Sequence, residues 1–359
     1  MELARIPAPP FGEAARADWV QYRFRELGLK DVHIDAVGNV LGVIPGEDTE
    51  DGYVSISAHI DTVFPEGTLL DIRRERERLY GPSISDNAAG VVALLAIAGA
   101  IREIRIQPSS PIVFIGNVGE EGEGNLRGIR HIFNETRWKD VIDFSVMIDG
   151  AGTDSIIAEG LGSRRFEVTV TGPGGHSWSD YGVPNPIVVL ARIINTFNTV
   201  DLHNRPKTTM NIGIIEGGTS VNSIPERASM RVDVRSIAVS EIERLEEALR
   251  RAAEDAKTSD IDIEVKAIGD RPAAELRGDS ALLAMTRAVD VHFGITSRLQ
   301  RASTDANIPL AQGREAIALG AGGTGAGAHT IHEWFDPYGR ELGLKRLLLL
   351  TLALTGIES

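Results

Sequence analysis

Over the first 160 residues, short β-type runs alternate with helical stretches, the order that builds a parallel sheet covered by helices. Val54, Ile56, Ala58 and Ile60 alternate with Ser55, Ser57, His59 and Asp61, a period of two that predicts a strand with one apolar face. The Ala- and Leu-rich stretch 87–104 predicts a helix. Runs at 111–118 and 144–148 predict two more strands, each ending in a loop that carries acids. From about residue 164 the texture changes. Strands are expected at 165–171, 208–215, 228–235 and 261–267, with helices at 186–197 and 241–256, the β-α-β-β-α-β order of a ferredoxin-like α+β sandwich. After Pro272 the α/β texture resumes, with a strand at 316–319 and a last helix at 342–354. The expected organisation is one α/β domain over 1–163 and 272–359, a mixed, mostly parallel sheet flanked by helices, interrupted by a smaller domain at 164–271.

Composition narrows the chemistry. The 359 residues carry 51 acidic against 37 basic side chains, a formal net charge of −14. Such a surface repels phosphate backbones and anionic membranes, so neither nucleic acid nor membrane is expected as a partner. The start of the chain lacks a basic region followed by an apolar core, and no apolar run approaches the roughly 20 residues of a membrane span, so a cytoplasmic location is expected. Cysteine is absent, which removes disulfides, thiolate nucleophiles and Cys-type zinc sites. Any metal would be held by N and O donors.

His59 and Asp61, two apart on a strand, project from one face near its C-terminal end. One can ligate a metal while the other orients the imidazole; a plain hydrogen-bonded pair is the alternative. Asp86 follows Gly81-Pro82-Ser83-Ile84-Ser85 and precedes a helix, where an N-cap would also account for an Asp. Glu120 and Glu121 end the 112–118 run within Gly119-Glu-Glu-Gly122; adjacent buried carboxylates cost stability unless a cation or proton offsets them. Asp149 ends the next strand, and ligands of open α/β sheets collect at that edge. His329 and His332 compete for a role in the segment 327–333. Together these hard or borderline donors suffice for two divalent ions sharing one carboxylate, with one carboxylate left as a base. The segment 320–325 formally matches a dinucleotide fingerprint but lacks the βαβ context, and no G-x-S-x-G elbow is present.

The ordered set SAHIDTV (57–63), GPSISDNAAG (81–90), GNVGEEGEGNLRG (116–128), MIDG (147–150), GPGGHS (172–177) and GAHTIHEWF (327–335) resembles the co-catalytic zinc peptidase superfamily of peptidase T, glutamate carboxypeptidase, aminoacylase, acetylornithine deacetylase and succinyl-diaminopimelate desuccinylase. The wording around Asp149, STDAN (303–307) and AHTIHEWF is most similar to the peptidase T branch. The resemblance implies that Asp86 bridges two ions, with Glu121 and His329 completing one site and His59 and Asp149 the other. Asp61 would be the outer-shell partner of His59, and Glu120 the general base acting on the water between the ions. His332 falls inside the family's H-[ST]-x-x-E pattern, between His329 and Glu333, and is not expected to ligate.

The insert would be the family's lid and dimerisation domain, which implies a homodimer. His176, otherwise a turn histidine, would stabilise the oxyanion in a neighbouring subunit. Asn222 and Arg235 are similar to the pair that holds a substrate carboxylate; an ordinary strand-end salt bridge is the alternative for Arg235. The chain departs from the family at Ser83-Ile84, where a second glycine is usual. The implied cofactors are two zinc ions, with cobalt or manganese fitting the same ligands. The implied activity is hydrolysis of small peptides, by an exo-acting di- or tripeptidase or an aminopeptidase. The alternatives are an N-acyl-amino-acid deacylase or carboxypeptidase of the same superfamily, and a catalytically silent peptide-binding homologue.

Overall fold

The structure, a computed structural model, describes residues 1–47 and 52–356. It divides into two compact units, Met1–Gly160 with Glu275–Ser359, and Leu161–Ala274. In the first unit a mixed sheet runs in the order Lys30–Ile34, Val40–Ile44, Ile112–Asn117, Tyr53–His59, Ile142–Ile148, Glu315–Leu319, Ser155–Gly160. The four strands from Ile112–Asn117 to Glu315–Leu319 are mutually parallel, so Asn117, His59, Ile148 and Leu319 all end at one edge.

Tyr53–His59 is central, and the alternation of its residues sorts them between two covered faces. Val54, Ile56 and Ala58 pack with Val91, Leu94 and Ile97 of the helix Ala88–Ile104 and with Leu347 and Leu350 of Arg340–Thr355. The polar row Ser55, Ser57 and His59 is equally buried, at 2%, 1% and 2% exposure. The alternation predicts one apolar face, and the polar face is covered as well. A strand inside a parallel sheet is covered on both sides, and here Ser55 and Ser145 hydroxyls pair at 2.9 Å across adjacent strands. The second layer is built on Val113, Ile115, Ile129, Ile132, Phe133 and Ile308.

A smaller sheet joins Thr324–Ala326, Trp334–Asp336, Arg78–Tyr80 and Arg73–Glu75, and the loop between its first two strands carries His329. Gly320–Gly325 leads into this sheet and not into a helix, in keeping with its rejection as a dinucleotide loop. The second unit is an antiparallel sheet in the order Thr208–Gly217, Arg227–Ser236, Gly162–Thr171, Asp262–Arg271. Phe166, Val168 and Val170 of that sheet are buried under the helices Pro186–Asn198 and Val239–Glu254. No helix among the described residues is long and apolar enough to cross a membrane.

Candidate active site

The parallel edge gathers the acids and imidazoles singled out above. His59 is the last residue of its strand, and Ile60 N–H donates to the carbonyl of Asn117 (2.8 Å), which keeps the two chains aligned past the sheet. The Asp61 carboxylate then accepts the backbone N–H groups of Glu120 (3.0 Å) and Glu121 (2.8 Å) and lies 3.5 Å from His59 Nδ1. One buried acid thus orients a histidine and fixes the turn that carries two glutamates. Gly119 and Gly122 bracket that turn with φ of 67° and 49°, left-handed values that glycine accepts most readily.

Asp86 lies between two imidazoles. Its Oδ1 is 3.1 Å from His59 Nε2, and its Oδ2 is 3.2 Å from His329 Nε2. His59 Nε2 is also 3.6 Å from Asp149 Oδ1, and His329 Nε2 is 3.2 Å from Glu121 Oε1. Donor atoms of three sets converge to within 4.8 Å: His59, Asp86 and Asp149; Asp86, Glu121 and His329; His59, Glu120 and Glu121. The N-cap position that could have explained Asp86 belongs to Asn87. The Asn87 amide bonds the Ile148 carbonyl (2.9 Å) and the Gly150 N–H (3.1 Å), holding the two neighbours of Asp149.

The electrostatics match the geometry. Burial opposes a charge on His59, but the adjacent carboxylates of Asp149, Asp61 and Asp86 outweigh it and raise its pKa well above the usual value. Asp86 and Glu121 push His329 up to about 10. Asp86 is held far below the carboxylate range: burial works against ionisation, and the His329 and His59 contacts prevail. Glu121 is raised, chiefly by burial.

Glu333, wholly buried, accepts three backbone N–H groups, from Ser83 (3.0 Å), Ser85 (2.6 Å) and Asp86 (2.7 Å). Asp305 of the STDAN segment accepts from Asn117 Nδ2 at 2.7 Å beneath the same edge. Neither role was legible in the sequence, since each partner lies more than 180 residues away. His332 is in none of the converging sets. A cavity of about 370 Å³ lined by Ser85, Asp86, Asp154 and a run of Gly and Ala opens beside Asp86.

His176, Asn222 and Arg235 belong to the second unit. His176 ends the short strand Gly175–His176, which pairs with Ser223–Ile224, and Ser177 N–H donates to the Asn222 carbonyl (3.0 Å). The sequence thus brings His176 and Asn222 together. Arg235 stands apart on Arg227–Ser236, its Nε donating to Asp233 Oδ2 at 2.7 Å, the salt bridge named above as its alternative.

Residues 55–352 match the profile described as Peptidase family M20/M25/M40. Carboxypeptidase G2 of Pseudomonas sp. (strain RS-16) is 24% identical over 272 residues, 73% of this chain and 64% of the relative. A probable carboxypeptidase of Paracoccidioides lutzii is 29% identical over 233 residues, 59% and 51% of the two chains. The chain therefore spans between half and two thirds of the length of these curated relatives. Among solved structures, a tripeptidase from Staphylococcus aureus superposes with a TM-score of 0.77 at 19% identity, covering 99% of this chain and 96% of that one. Aminopeptidase PepT from Bacillus cereus gives 0.74 at 19%, covering 99% and 97%. The structures show a shared fold, and the profile covers the strands and loops that carry every member of the converging sets. The chain belongs to peptidase family M20/M25/M40.

Proposed function

We propose that this chain is a di-metal peptidase that hydrolyses an amide bond in small peptides. The observation that carries the reading is Asp86, whose two oxygens face different imidazoles while separate carboxylates complete each side. One ion would be held by His59, Asp86 and Asp149, the other by Asp86, Glu121 and His329. The donor set fits: all are imidazole or carboxylate, as borderline divalent ions such as zinc require, with cobalt or manganese as substitutes. When bound, the ions supply Lewis acidity toward the amide carbonyl and acidify a water.

The chain's own residues do the rest. Glu120 shares a converging set with His59 and Glu121, yet neither ion needs it, so its carboxylate is the base that accepts the water's proton and returns it to the leaving amine. Asp61 holds Glu120 and Glu121 by their backbones and faces the His59 ring at 3.5 Å, setting base and ligands in one frame. The cavity of about 370 Å³ beside Asp86 is at the small end of the range for sites that take a small molecule, which supports a di- or tripeptide substrate. In the second unit His176 is assigned to the oxyanion and Asn222 to a substrate carboxylate; Arg235, apart from Asn222, would have to leave its Asp233 salt bridge to join in holding that carboxylate. The same unit is the proposed homodimer surface: its edge strand Thr208–Gly217 exposes Ile214 and Ile215.

A carboxypeptidase is the second reading, favoured by the names of the curated relatives, with an N-acyl-amino-acid deacylase as the further alternative within the superfamily. Glu120→Gln tests the mechanism. It should lower turnover by about 10²-fold or more with metal content unchanged. Turnover at the wild-type rate would refute Glu120 as the base.

A further inference from the structure

Arg16 is fully buried, on the stripe of the helix Ala14–Glu26 that also buries Ala17, Val20 and Phe24, where the pattern asks for an apolar residue. Its guanidinium donates to the carbonyls of Ile6 (2.8 Å) and Ile60 (3.0 Å) and to Ser83 Oγ (3.2 Å). Ile60 sits between His59 and Asp61. Ser83 opens the turn that delivers Asp86. One side chain from the start of the molecule thus touches both loops of the candidate metal centre while reaching none of its donors.

Two features say that this contact is built and not incidental. A buried guanidinium forfeits its hydration and persists only where its surroundings compensate. Burial lowers its pKa to about 10, with Asp61 and Glu333 pulling it back up, so it remains a cation at neutral pH. Ser83, moreover, holds a left-handed backbone, φ 62°, which side-chain-bearing residues avoid. It is pinned there from two sides: Arg16 binds its hydroxyl, and Glu333 accepts its N–H at 3.0 Å.

We propose that Arg16 is a positioning residue for the metal centre, a brace that sets the Ile60–Asp61 segment against the Ser83–Asp86 turn and so determines how tightly the two ions are held. The inference rests on the di-metal reading. It makes Ser83 part of the device: the left-handed turn is locked through its hydroxyl.

The test is zinc titration of the metal-free full chain against a chromogenic chelator, with the visible absorption of the cobalt-loaded chain as a readout of ligand geometry. Arg16→Met and Ser83→Ala should each weaken at least one ion by about tenfold or more, the range for loss of outer-shell partners. Arg16→Lys should recover part of the loss, and the cobalt spectrum of Arg16→Met should shift. Ser83→Ala keeps the charge buried and paired to both carbonyls, so it decides the matter if Arg16→Met does not fold. Wild-type affinity for both ions in Ser83→Ala, or in a folded Arg16→Met, would overturn the brace alone. A wild-type chain that takes up no zinc would overturn the di-metal reading and the brace with it.

Discussion

Asp86 is the residue on which the site turns, because removing it would leave both His59 and His329 without their shared partner. Asp86→Ala should therefore lose both ions, read as metal per chain after dialysis; two retained ions would contradict the bridging role. Asp305 offers a test in the metal-free protein. Burial raises its carboxyl to about 7 from the ordinary 3.8. As pH rises from about 4 to 7 the unfolded chain releases this proton while the folded one keeps it, so the wild type loses stability relative to Asp305→Asn. Urea unfolding across that window should show a relative loss of about 2–4 kcal/mol; parallel curves would rule the shift out. At this scale the sequence was legible where spacing is local. His59 and Asp61 share a face because strands have period two, and Glu120 and Glu121 are adjacent. Arg16 was opaque, and Asp305 and Glu333 were marked only as members of motifs, since each takes its role from a partner brought close only by folding.

Among the elements, the helices Ala281–Phe293 and Arg340–Thr355 are joined by a wholly buried fork in which Arg346 donates to both oxygens of Asp290, at 2.6 and 2.8 Å. Ser297 Oγ also donates to Asp290, and Arg346 reaches the Ser155 carbonyl. Asp290→Ala strands a buried cation and should cost about 3–5 kcal/mol in urea unfolding. Replacing the pair together, Asp290→Leu with Arg346→Met, should recover most of that loss; equal destabilisation by both variants would argue against an unpaired charge as the cause. The apolar run ending at Leu354 was readable as a buried helix, and Thr351 inside it is accommodated by bonding the Leu347 carbonyl at 2.8 Å. What the run did not disclose was Arg346 at its border. Likewise the alternation at 54–60 located a strand but not the second layer over Ser55, Ser57 and His59. Period-two patterning marks which residues share a face, and the covering of that face depends on the sheet's neighbours.

For the molecule as a whole, the order of element types was enough for the architecture: a mixed sheet with helices on both faces and, within 161–274, an antiparallel sheet with two helices. The net charge of −14 also takes on a local meaning. Asp61, Asp86, Glu120, Glu121, Asp149, Asp305 and Glu333 cluster at or beneath one sheet edge, a concentration of negative charge that two divalent cations would offset in large part. The most direct test of that account is a hydrolysis panel of free, N-acylated and C-amidated di- and tripeptides, run on the chain loaded with two zinc ions. Cleavage of free di- or tripeptides, abolished by a chelator and restored by zinc, is the predicted result. Cleavage of no member of the panel by a chain carrying both ions would contradict it.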